Sequence, residues 1–226
     1  MRELIERYVR EMVKIPSTSN TEMEKNCADY IAEELAKQPY FKEHPEQTGK
    51  YLLPEDSLGR SVPWGLVKGN GGFRKTIILT GHYDVVDTEE YGNERALAYD
   101  VEKWENLGKS GNVLPGMPDE VKEDFLSGDW MFGRGTADMK GGLSVGLVLL
   151  DWYGKIVAEA EGKASSVAVS EAEVASELGD ASGISGNLLF VTVPDEEGYS
   201  AGMRGAVPFL NEVKERFDLE YTALID

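Results

Sequence analysis

The 226-residue sequence predicts an α/β fold, and three observations carry that expectation. Short apolar runs at residues 62–67, 76–80, 187–193 and 221–225 read as strands. Segments with apolar residues at helical spacing alternate with them. A glycine-dense stretch, residues 133–142, opens one of those helices. Such alternation is what a sheet covered by helices requires.

The elements follow in order. Leu4, Ile5, Tyr8, Val9, Met12 and Val13 recur at helical spacing until Pro16 stops the run, which predicts one amphipathic helix. Thr21 and Glu24 stand at the spacing of a capping box, and Met23, Cys27, Tyr30, Ile31 and Leu35 form the apolar stripe of a second helix, placing Cys27 in the core. The runs at 62–67 and 76–80 flank the sequence Lys68-Gly69-Asn70-Gly71-Gly72-Phe73, which reads as the turn of a hairpin. Its glycines are not a phosphate loop, because such a loop must feed a helix whose first N–H groups face the anion, and this one feeds a strand. Residues 88–130 are irregular, charged and rich in Gly, Pro and Trp, too long for an ordinary connection, and are expected to be a functional excursion.

Residues 141–153 predict a helix that is apolar around most of its circumference, through Leu143, Val145, Leu147, Val148, Leu149, Leu150 and Trp152, as suits burial against a sheet. Residues 154–186 turn to Ala, Ser, Glu and Gly without an aromatic residue, the composition of a solvated insertion. A buried strand at 187–193, a helix at 202–217 and a last strand at 221–225 complete the pattern. The chain, residues 1–226, is expected to form one domain interrupted by that insertion.

Forty-one acids against 23 bases give a formal charge of -18, which argues against a nucleic acid or an anionic membrane as partner. The single Cys27 excludes an internal disulfide framework. The first residues, Met-Arg-Glu-Leu-Ile-Glu-Arg, lack the apolar stretch of a signal peptide, and no segment reads as long and apolar enough to span a bilayer. The cytosol is the expected compartment.

Three segments, each following an apolar run, offer metal-ligating side chains. In Gly81-His82-Tyr83-Asp84, residues i and i+2 of an extended chain share a face, so Asp84 is expected to accept a hydrogen bond from the His82 imidazole and aim its other nitrogen at a metal. An ordinary hydrogen-bonded pair has the same spacing. In Gly133-Arg134-Gly135-Thr136-Ala137-Asp138-Met139-Lys140-Gly141-Gly142, glycine permits the backbone angles that let Asp138 reach a sheet-edge crevice, where a carboxylate can bridge two cations; the plainer reading is a helix N-cap. In Pro194-Asp195-Glu196-Glu197-Gly198 the strand has ended, so both Glu196 and Glu197 can turn into one crevice, one as a ligand and one free to handle protons. A pair of solvated loop acids is the alternative. His44, the only other histidine, sits among polar residues and is expected to be solvated.

Together and in this order, these motifs resemble those of the zinc-dependent aminoacylase, acetylornithine deacetylase, peptidase T and carboxypeptidase G family of metallopeptidases. Ile15-Pro16-Ser17-Thr18-Ser19, Asp129-Trp130-Met131-Phe132 and Ser200-Ala201-Gly202-Met203-Arg204 resemble a branch concerned with arginine utilisation. The resemblance implies a mixed, mostly parallel central sheet flanked by helices. It implies two zinc ions, replaceable by cobalt or manganese, with His82 on one, Asp138 bridging both and Glu197 on the second. It makes Asp84 the orienter of His82 and Glu196 the general base, and it adds Asp226 as a further ligand of the His82 zinc. Members of this family continue into a lid or dimerisation domain and a late histidine that completes the second site. The resemblance therefore implies that this chain corresponds to the N-terminal catalytic portion, with a weak second site, little activity alone and dimerisation only through the further domain.

Three functions remain open on the sequence. The first is a zinc peptidase or amidohydrolase acting on a small peptide or an N-acyl amino acid. The second is an inactive relic that binds one metal. The third is a magnesium-dependent phosphoryl-transfer enzyme, against which the imidazole of His82 counts, since magnesium prefers oxygen donors.

Overall fold

The computed structural model describes residues 1–160 and 185–226. Five strands, β1 (Thr48–Leu52), β2 (Ser61–Lys68), β3 (Lys75–His82), β4 (Asn187–Val193) and β5 (Glu220–Ile225), form one sheet in the order β1-β2-β4-β3-β5. β3 runs parallel to both β4 and β5, whereas β2 runs antiparallel to both β1 and β4. The sheet is mixed as the resemblance implied, with β2 alone running against the other four strands. Only a short connection joins β1 to β2, and a short connection returns the chain antiparallel, because a parallel crossover needs a dozen or more residues.

The hairpin expected between residues 62–67 and 76–80 does not form, because β4 lies between the two strands. Its residues are buried almost throughout, so a central position removes both of its faces from water. Asn187 at its start secures the arrangement: its Oδ1 accepts from the Gly69 amide at 3.1 Å, and its Nδ2 donates to the Phe73 carbonyl at 3.0 Å. The glycine-rich turn thus straddles the head of β4.

Helices cover both faces. On one lie α1 (Arg2–Val13), α3 (Pro39–Glu43) and α6 (Lys140–Ala160), around a core that includes Met12, Cys27, Ile31, Phe41, Leu143, Leu147 and Phe190. On the other, α7 (Ala201–Phe217) packs Phe209 and Val213 against Trp64, Leu66, Ile78 and Leu189. Cys27 is fully buried, as its place in the helical stripe predicted. The second helix, α2, spans Glu24–Lys37, but the expected capping box is not made. The Thr21 hydroxyl donates to the Thr18 carbonyl and accepts from the Met23 amide, while the Glu24 carboxylate turns inward to Arg60. A buried guanidinium offers that carboxylate a charge-assisted bond, which outweighs a neutral cap at a helix end.

The excursion at 88–130 is largely helical, with 3-10 turns at Glu89–Leu97, α4 at Val101–Lys109 and α5 at Asp119–Ser127. Trp104, Phe125 and Phe132 meet there edge-on or tilted, with centroids 5.3 to 6.0 Å apart, and give the excursion a small core of its own.

Helix α6 runs on through residue 160, with Gly154, Ile156 and Val157 buried, so the insertion expected from 154 is helix for its first seven residues. Apolar contacts with the core outweigh the small-residue composition there. Residues 161–184 of the expected insertion lie outside the described residues. At 21 residues α6 is also long and apolar enough to cross a membrane, contrary to the reading of the sequence, yet half of that stretch is buried inside the fold against the sheet and α1.

The start of α7 depends on one close approach. A Cβ built on Gly202 would lie 1.9 Å from the Pro194 carbonyl oxygen, a backbone atom that cannot move aside. Gly202→Ala is therefore expected to lower stability by about 1–3 kcal/mol, the usual cost of overpacking. A denaturant midpoint equal to that of the parent would refute this.

Candidate metal centre

β3 and β4 end level, with Gly81 opposite Thr192 and His82 opposite Val193. The carboxyl ends of parallel strands open a crevice into which the following loops must turn, the usual place for a ligand site in such sheets. His82 is the last residue of β3, Glu196 and Glu197 lie in the turn after β4, and Asp138 lies two residues before α6. A cis peptide bond joins Asp138 to Met139.

The structure brings His82, Asp138 and Glu197 together, with one donor atom from each lying within 4.8 Å of the others. His82 Nε2 is 2.9 Å from Asp138 Oδ1 and 3.9 Å from Glu196 Oε2, so both adjacent glutamates face the same crevice. Asp226 is not part of this group. β5 pairs with β3 as far as Leu79 opposite Ile225, so Asp226 follows one residue beyond that pair while His82 lies three beyond, and Asp226 is exposed at the edge. His44 is equally remote in role. It is half-buried rather than solvated, and its ring lies over Tyr40 at 4.6 Å.

His82 Nδ1 meets Asp84 as expected, but lies closer to its carbonyl than to its carboxylate. It lies 3.0 Å from the backbone carbonyl of Asp84 and 3.5 Å from the carboxylate Oδ1. A carbonyl accepts only, so Nδ1 carries the proton and Nε2 presents its lone pair to the crevice. There it faces Asp138 Oδ1, another acceptor. Two acceptors at 2.9 Å are stable only with a cation between them or a proton on the ring, and the imidazole pKa reflects this. Burial opposes the charged ring, but Asp84 and Asp138 outweigh it and raise His82 to about 9. Imidazole with two carboxylates is a donor set that suits zinc, and three protein donors leave a tetrahedral ion one open position.

The buried Asp84 carboxylate has further partners. Oδ1 accepts the Glu196 amide at 3.0 Å, and Oδ2 accepts the Glu197 amide at 3.2 Å and the Ser19 hydroxyl at 2.6 Å. Burial opposes its ionisation, yet donors from His82, Ser19 and Glu196 hold it below the usual carboxylate range. Glu197 shifts the other way: burial, then the negative charge of Asp138, raises its pKa.

Beneath the turn lies a buried ionic network that the sequence motifs did not reveal. Arg60 Nη1 meets Glu24 Oε1 at 3.0 Å and lies 3.6 Å from Asp195 Oδ1, while Nη2 meets Asp56 Oδ1 at 2.7 Å. The other Glu24 oxygen accepts the Asp195 amide at 2.9 Å. Asp195 Oδ2 accepts the Ala201 amide at 3.0 Å, capping α7. Lys140 is fully buried, and its ammonium donates to the carbonyls of Met12 and Ile15 at 3.0 and 2.7 Å, tying the mouth of α6 to the end of α1. Its place in the glycine-rich motif was the available signal. Arg60 had none, since it stands alone in the sequence.

This arrangement defines a class: a mixed α/β fold with a histidine and carboxylate cluster at its strand ends. No protein-family model matches the chain. It is 35% identical over 215 residues to the protein YqjN of Bacillus subtilis, an alignment covering 95% of this chain and 34% of that protein. It is 30% identical over 224 residues to RocB of Bacillus subtilis, covering 99% of this chain and 35% of RocB. Human carnosine dipeptidase 1 superposes with a TM-score of 0.55 at 15% identity, over 99% of this chain and 38% of that one. The chain is thus similar in sequence to RocB over nearly its whole length and shares the fold of carnosine dipeptidase 1. It spans about a third of the length of the curated relatives it matches.

Proposed function

We propose that this chain carries the metal centre of a hydrolase that cleaves the amide bond of a small peptide or an N-acyl amino acid. The observation that carries the reading is the placement of His82, Asp138 and Glu197 around one point with Glu196 beside them. His82 and the two carboxylates would hold zinc, or cobalt or manganese in its place, and Asp138 has a second oxygen with which to reach a second ion. A bound divalent ion supplies Lewis acidity towards the scissile carbonyl and makes water a better nucleophile. Glu196, whose amide is anchored to Asp84, takes the proton of the attacking water and passes it to the leaving nitrogen. Asp84 fixes the Glu196-Glu197 backbone, and its carbonyl fixes the His82 tautomer. A dipeptidase among the fold neighbours and the motif resemblance support a peptidase-type substrate, and the resemblance to an arginine-utilisation branch supports a role in amino-acid breakdown.

The acidic charge and the buried single cysteine suit a cytosolic protein without a nucleic-acid or membrane partner. A second reading, a domain that binds one metal without turnover, is favoured by the fact that one ion can take all three donors.

The test has two stages. Zinc content and affinity are measured by elemental analysis and calorimetry for the parent and for His82→Ala, where affinity is expected to fall by about 100-fold or more, beyond the 10–100-fold that loss of an outer partner costs. Equal zinc in both proteins would remove His82 from the site. The metal-loaded protein is then offered a panel of dipeptides and N-acyl amino acids. Bound metal without hydrolysis would favour the second reading, and selective magnesium binding would overturn both.

A further inference from the structure

The Ile15-Pro16-Ser17-Thr18-Ser19 segment has no role in the chemistry above, yet it reaches the centre. Pro16 ends α1, and the chain then runs beside the residues after β3: Thr18 bridges Val85 in parallel, Ser17 Oγ donates to the Tyr83 carbonyl at 2.5 Å, and the Ser19 amide donates to the Val85 carbonyl at 3.0 Å. Lys140 secures the segment from beneath through Ile15. The result places the partly buried Ser19 hydroxyl 2.6 Å from Asp84 Oδ2 and 3.1 Å from the Val85 carbonyl.

That contact decides what Asp84 can do. Its two oxygens serve the Glu196 amide at 3.0 Å, the Glu197 amide at 3.2 Å and Ser19, with His82 Nδ1 further off at 3.5 Å. Ser19 supplies the shortest of these contacts. Without it Oδ2 keeps only the Glu197 amide, and the carboxylate is free to turn towards His82 Nδ1, a stronger donor partner than a backbone amide. The imidazole would then exchange the Asp84 carbonyl for the carboxylate, and the glutamate turn would lose its anchor. We infer that Ser19 is a positioning residue: its hydroxyl sets the rotation of the Asp84 carboxylate and thereby holds Glu196 and Glu197 over the centre.

The inference rests on the metal-centre reading only for its consequence in function, so the experiment separates the two. Amide hydrogen exchange at Glu196 and Glu197 is measured by NMR in the metal-free chain for the parent, Ser19→Ala and Ser19→Thr. Protection at these two amides is expected to fall at least tenfold in Ser19→Ala, with core strands unchanged, and to return in Ser19→Thr, which keeps the hydroxyl. Unchanged protection in Ser19→Ala, or equal loss in both variants, would overturn the inference. Cobalt affinity and the visible spectrum of the cobalt-loaded protein are then compared, with a 10–100-fold weakening expected in Ser19→Ala alone. If protection falls while cobalt affinity and spectrum are unchanged, Ser19 does not position the ligands and the inference fails. If the parent itself binds no cobalt, the metal-centre reading fails, and the exchange result still decides whether Ser19 sets Asp84.

Discussion

Glu196→Gln is expected to leave bound metal unchanged and to lower turnover by about 10²–10⁴-fold, the usual range for loss of a general base. Glu197→Gln is expected to release metal instead. The two side chains are neighbours in sequence and share an anchor, since both amides donate to Asp84, so neither substitution disturbs the turn that carries them. They differ in placement. Glu197 is one of the three residues gathered around a common point, whereas the Glu196 carboxylate is outside that group, 3.9 Å from His82 Nε2. The amide form of either side chain keeps its size while removing charge and basicity. Metal content by elemental analysis, and rates on whichever peptide or N-acyl amino acid the protein hydrolyses, distinguish the two. Equal metal loss and equal residual rates in both variants would mean that ligand and base are not divided in this way.

Arg60→Ala is expected to cost roughly 3–5 kcal/mol of folding stability, because it leaves buried carboxylates without their cation. Glu24 is wholly enclosed, Asp195 is 1% exposed, and the guanidinium that holds them is 5% exposed. The loss has a pH signature. Burial raises the Glu24 pKa to about 7 even with Arg60 opposing the shift, so the native state favours its neutral form and the stability tied to Glu24 declines as pH rises through that value. Without Arg60 the carboxyl rises further, so the deficit should widen between about pH 5 and pH 8. Urea titrations of both proteins at the two pH values provide the measurement. A deficit below about 1 kcal/mol at both would show that the network bears no weight in the fold.

The strands, the helices and the chemistry-bearing segments were legible in the sequence because each is a local property. The alternation of apolar runs marks β2, β3 and β4, and the stripe from Met23 to Leu35 marks α2. Glycine density around Asp138 and the paired acids after Pro194 mark where carboxylates can leave regular structure. Local signals stop there. Which strand lies beside which is set by long-range burial, and β4 enters between β2 and β3 because its two apolar faces need the centre of the sheet, with Asn187 binding the turn that a hairpin reading had claimed. The partners of a buried group are likewise a matter of what the fold brings near. Glu24 left its capping position for Arg60, His82 came closer to the Asp84 carbonyl than to the carboxylate, and Ser19 reached Asp84 across 65 positions of sequence. The residue types by themselves determined that a histidine and carboxylate centre can exist here. Tertiary structure alone decided which of them meet, because donors and acceptors pair by distance and desolvation, and neither is encoded in spacing along the chain.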